Sequence, residues 1–99
     1  MKKNIYILTF DPNEVDRGEM HNAISALTNA GEILAWSHYI KTSYIFTSRK
    51  GSYELGEKIQ RYLSLKKFFI VEINQHNYSG YQQSEAWDWL KNQINAIYF

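Results

Sequence analysis

The sequence contains no cysteine, which excludes a disulfide framework and any thiolate metal centre. A chain without cysteine suits a cytoplasmic setting. No apolar run reaches the length of a membrane span, so no membrane partner is expected. Ile5–Phe10, behind the basic Met1-Lys2-Lys3, is too short and too aromatic for a secretory leader, and no small-residue cleavage site follows it. The net charge is only +1 over 99 residues, so the totals lack the basic footprint of a nucleic-acid binder. There is no Gly-rich phosphate loop and no serine in a nucleophile-elbow context. His21, His38 and His76 fall on a helix, a strand and a loop with no ligand spacing between them, which favours structural or surface roles over metal binding. No repeat or low-complexity segment is present.

What the chain does have is apolar and aromatic residues, 44% and 16% of the total. That is enough for a core without covalent staples in one domain spanning 1–99. The organising stretch is NIYILTFD, residues 4–11. Nearly every position in it is apolar, and it ends at a carboxylate followed by proline, as a central strand covered on both faces would. Within the strand Asn4–Phe10, Ile5 and Ile7 share one face, and Tyr6, Leu8 and Phe10 share the other. A first helix runs from Asn13 or Asp16 to Ala30, with Met20, Ala23, Ile24 and Leu27 at spacings of three and four. Asp11 and Asp16 are both N-cap candidates, and Gly31 is the C′ residue.

Strands follow at about Glu32–Tyr39 and Thr42–Ser48, joined as a hairpin. A second helix, Tyr53–Leu63, has Ser52 as its candidate cap and buries Leu55, Ile59 and Leu63 or Tyr62. Glu54–Lys58 and Glu57–Arg61 are i,i+4 pairs on its outer side. The last strand is Lys67–Asn74. A third helix at Ser84–Ile94 carries Ala86, Trp87, Leu90 and Ile94 on one stripe, with Trp89 off it. Trp87 and Trp89 offer stacking surface for bases, although Trp87 is more simply core. The order βαββαβ with right-handed crossovers predicts an α+β, ferredoxin-like antiparallel sheet, strand order 4-1-3-2, plus the extra C-terminal helix. Helices one and two are expected on one sheet face. The other is expected to carry Tyr6, Leu8, Phe10, Trp36, Tyr44 and Phe46, an apolar patch too large to leave wet. The third helix, a second copy of the chain, or both would cover it, which makes these six residues a candidate homodimer interface.

Asp11 is the candidate catalytic and metal-binding residue. It ends a central strand and should lie near Thr42 and Ser43, with His38 on the same hairpin. Near a two-fold axis, two such carboxylates could hold a hard divalent cation that activates water. The alternative is that Asp11 caps the first helix. Charge is unevenly spread: residues 49–67 hold six basic groups against two acidic ones, net +4, and the remainder is net −3. Arg49, Lys50, Lys58 and Arg61 are therefore candidate contacts to an RNA or DNA backbone. The alternative is a solvated helix face with local salt pairs.

ILTFD, the hairpin WSHYIKTSYIF and the ending NYSGYQQSEAWDWLKN resemble the small bacterial proteins labelled SinR-family. These are similar to the CRISPR-associated adaptation endoribonuclease and, more distantly, to VapD-like ferredoxin-fold proteins. The likeness runs from about Ile5 to Ile94 and is most specific at Trp36, His38 and Tyr39, and at Ser79, Gly80, Tyr81, Trp89 and Leu90. It implies a ferredoxin-like domain that dimerises through its sheets. In the CRISPR-associated relatives the aspartate ending the first strand is the metal and nuclease position, and Asp11 matches it. Two readings follow. The first is a cytoplasmic homodimer acting as a nucleic-acid-associated or protein-interaction module with no cofactor. The alternative is an endoribonuclease using Mg²⁺ or Mn²⁺ on Asp11 from both subunits.

Overall fold

A computed structural model describes residues 2–64, 66–74 and 77–98. Its elements run β1 (Asn4–Phe10), α1 (Arg17–Asn29), β2 (Ala35–Ile40), β3 (Ser43–Ser48), α2 (Ser52–Leu63), β4 (Phe68–Glu72) and α3 (Ser84–Tyr98). Among the described residues the strands make a four-stranded antiparallel sheet in the order β2-β3-β1-β4. This is the order expected from right-handed crossovers. No helix among the described residues is long and apolar enough to cross a membrane. His76 lies outside the described residues.

Local chemistry sets the helix ends. Of the two cap candidates, Asp16 is the residue at the α1 N-terminus. Its carboxylate accepts from the backbone N–H of Gly18 at 2.9 Å and Glu19 at 3.3 Å, satisfying donors that have no partner inside the helix. A Cβ on Gly18 would come within 2.8 Å of that carboxylate, so the cap geometry favours glycine there. The helix ends as its sequence indicates, with Gly31 at φ +79°. At α2 the N-cap is Gly51, with no side-chain cap bond, rather than Ser52.

The assignment of sheet faces from sequence requires correction. Tyr6, Leu8, Phe10, Tyr44 and Phe46 lie beneath α1 and α2, buried with Val15, Met20, Ile24, Ile33, Leu55, Ile59 and Leu63, and Trp36 packs partly buried against them. They form the interior of this chain, not an interface with a second copy. Period-two alternation tells which residues share a face but not which face the helices take. The discriminating signal is composition. The face with Tyr6, Leu8 and Phe10 is large and apolar throughout, while the other mixes Ile5, Ile7 and Ile45 with Thr9, Ser37, Ser43 and Thr47. The more continuously apolar face makes the main core.

The mixed face is covered in part by α3. Leu90 and Ile94 are buried against Ile5, with Ile45, Ile73, Trp87, Trp89 and Ile97 around them. Trp89, expected off the stripe, packs here as well, because the stripe is wide enough to take both indoles. Coverage stops short of β4: Phe69 and Val71, on the same face, remain 73% and 55% exposed.

Candidate functional site

Asp11 leaves β1 beside the hairpin turn, as expected: Phe10 N–H donates to the Thr42 carbonyl at 3.1 Å, and Thr9 pairs with Ser43. Its carboxylate accepts from the Asn13 N–H at 2.9 Å, and its carbonyl accepts from Glu14 and Val15. These bonds close a turn that steers the chain from strand to helix. Among the described residues there is no group of three His, Asp or Glu side chains able to hold a metal ion. The pairing of two Asp11 carboxylates was to follow from sheets meeting through the aromatic face. That face is interior, so the shared acidic pocket loses its geometric basis.

The basic segment divides. Lys58 binds Glu32 at 2.7 Å and Glu54 at 3.1 Å, and Lys50 reaches the same Glu54 at 3.7 Å. The Glu32 and Glu54 contacts raise the Lys58 ammonium above the ordinary lysine value, and the Lys58 hydrogen bond lowers the Glu54 carboxyl. Beyond the segment's candidate contacts, Lys66 is held by Glu19 at 2.8 Å and Lys67 lies 3.8 Å from Glu14. Arg49 and Arg61 make no ion pair among the described residues. The local pair Glu54–Lys58 read from sequence forms, whereas Glu57–Arg61 does not. Four of the six positive groups are thus offset by carboxylates, and the solvated face with local salt pairs is the arrangement present.

An aromatic and imidazole cluster closes the hairpin end of the sheet. His38 stacks on Tyr44 with centroids 4.1 Å apart, and its Nε2 lies 2.9 Å from the Lys41 carbonyl. His21 Nδ1 lies 3.2 Å from the Tyr44 hydroxyl, and the His21 ring meets Trp36 edge-on. Burial pushes the Tyr44 hydroxyl above the ordinary tyrosine value. Tyr6 is raised too, by burial first, with the Asn4 amide opposing and the Glu72 charge adding. These contacts tie β2, β3 and α1 together, and give His21 and His38 structural partners.

The feature that sequence reasoning passed over is the outer edge of β4. This strand pairs with β1 on one side, in an unbroken register from Tyr6↔Glu72 to Phe10↔Phe68, and among the described residues has no strand on the other. Ile73 N–H donates to the Ile5 carbonyl at 2.8 Å. In an antiparallel ladder alternate residues bond the same neighbour. Residues 69, 71 and 73 therefore bond inward to β1, and Phe68, Ile70 and Glu72 turn their N–H and C=O groups outward. Beside this edge runs an open groove of about 780 Å³, walled by Tyr53, Gly56, Glu57, Gln60 and Arg61 of α2 and by Phe68, Phe69 and Ile70. A Cβ on Gly56 would meet nothing within 4 Å, so that wall is open. Tyr53 is 84% exposed. The signal was available: the strand order puts β4 at an edge, and FFIVE has no proline or internal charge to blunt it. No family model, curated protein or solved structure matches this chain.

Proposed function

We propose that this chain is a non-catalytic, cytoplasmic interaction module of ferredoxin-like fold whose working surface is the free edge of β4. It adds an extended polypeptide strand to its sheet. The observation that carries the reading is the pairing of outward-turned backbone groups at Phe68, Ile70 and Glu72 with the exposed side chains of Phe69 and Val71. Backbone hydrogen bonds supply affinity in such strand addition, and alternate side chains supply selectivity. The βαββαβ order and the β2-β3-β1-β4 sheet support the ferredoxin-like assignment. The SinR-family resemblance, with its dimers built through sheets, is compatible with it. The turn bonds of Asp11 and the neutralised lysines weigh toward a polypeptide partner over RNA.

The test is amide chemical-shift mapping on isotope-labelled protein. One titration uses a peptide of alternating apolar and polar residues, and another uses RNA with Mg²⁺ or Mn²⁺. The peptide is expected to move the amides of Phe68, Ile70 and Glu72. Shifts on RNA and metal at Asp11, Arg49, Lys50, Lys58 and Arg61, with β4 silent to peptide, would replace this reading with the nuclease or nucleic-acid one.

A further inference from the structure

We infer that the strand received by β4 is β4 of a second copy, antiparallel and centred on Ile70. This rests on the edge reading above and names its partner.

Four observations converge on self-pairing. The first is hydrogen-bond parity. A two-fold axis at Ile70 sets Phe68 opposite Glu72 of the second copy and Ile70 opposite its own counterpart. All of these residues turn their backbone groups outward, so the three residue pairs make about six inter-strand hydrogen bonds.

The second is side-chain match. The same register sets Phe69 opposite Val71 of the second copy, twice, on the face that α3 leaves uncovered. An aromatic ring beside a β-branched residue is a favourable cross-strand pair. The most exposed apolar residues of the edge thus cover each other.

The third is charge. Lys67, whose side chain stays largely in solvent beside Glu14, precedes β4 and Glu72 ends it. Antiparallel apposition brings the basic end of one strand beside the acidic end of the other, whereas parallel apposition would align like charges.

The fourth lies on α2. Glu57 and Arg61 both line the groove at this edge, and neither has an ion-pair partner among the described residues. A two-fold axis makes the two α2 helices antiparallel neighbours across that groove, so the glutamate of each copy faces the arginine of the other.

The absence of cysteine makes the register directly testable. Residues 69 and 71 form the closely spaced, non-hydrogen-bonded pair of this register, within the Cα separation that a disulfide spans. Phe69→Cys and Val71→Cys proteins are mixed and oxidised. A disulfide-linked heterodimer is expected in the mixture at least roughly tenfold faster than a homodimer in either protein alone, since like positions lie diagonally. Sedimentation equilibrium of the unmodified chain is expected to show a dimer. Phe69→Lys/Val71→Lys, which alters exposed side chains only, is expected to weaken it by at least roughly tenfold while leaving the circular dichroism unchanged. A monomer at all concentrations up to hundreds of micromolar overturns the inference, as does equal crosslinking in all three oxidations. If the chain stays monomeric while the strand peptide still shifts Phe68, Ile70 and Glu72, the edge reading survives and its partner is another polypeptide. If neither event occurs, both fall.

Discussion

The two edges of the sheet are built by opposite rules. At β2 the ladder with β3 runs regularly from Ala35↔Thr47 to Ser37↔Ile45 and then slips before Ile40↔Ser43. His38 folds back to the Lys41 carbonyl and stacks on Tyr44, so this edge is twisted and tied down. At β4 the register is continuous, the strand carries no bulge, and the apolar side chains left in water are Phe69 and Val71. Bulges and charges are the usual protection of a strand edge. β2 carries such an irregularity and β4 does not.

Four experiments probe these differences. The largest effect is expected from Val71→Pro. Its N–H bonds inward to β1, so proline removes a ladder bond and should cost about 3 kcal/mol or more in chemical denaturation. Phe69→Lys/Val71→Lys should separate edge function from stability: self-association is lost while the monomer's unfolding free energy changes by less than about 0.5 kcal/mol, measured at low concentration. On the opposite edge, His38→Ala removes the stack and the bond to Lys41. It should cost about 0.5–1.5 kcal/mol and speed amide exchange in β2 while leaving β4 unaffected. The smallest effect is pH dependence. The Tyr6, Tyr44 and Lys58 pKa values lie above their ordinary values in the folded chain. Their contribution is therefore full below about pH 10 and is lost as pH rises through the folded values. Glu54 is lowered, so its contribution is present above the ordinary carboxyl value and is lost as acid is added. Thermal melts across pH should decline at both extremes, with the alkaline decline reduced by Tyr44→Phe.

The strand order was legible because handedness leaves few alternatives once βαββαβ is recognised. The ends of α1 were legible from Asp16 and Gly31, whose chemistry is local. The choice of buried face is legible only by comparing the composition of the two faces across all strands, because both faces of β1 are apolar and alternation is silent on which one the helices cover. Lys58 shows the same limit: its bond to Glu54 is local and readable, and its shorter one to Glu32 depends on the tertiary fold. From sequence Asp11 is a candidate metal ligand or a helix cap; in the fold its carboxylate accepts from the Asn13 N–H within the turn, and Asp16 is the cap of α1. The β4 edge was implicit in the strand order, but its exposure depended on how far α3 reaches across the sheet, and helix length alone does not set that.

The bulge between Ser37 and Ile40 has a consequence for assembly size. Joined through β4, two copies would share an eight-stranded sheet whose outer borders are both β2. Those borders are irregular and carry the hairpin's own side-chain clasps, so they offer no template for a third copy. Growth would terminate at two, and a sheet protein with one adhesive margin would escape fibre formation by having spoiled the other.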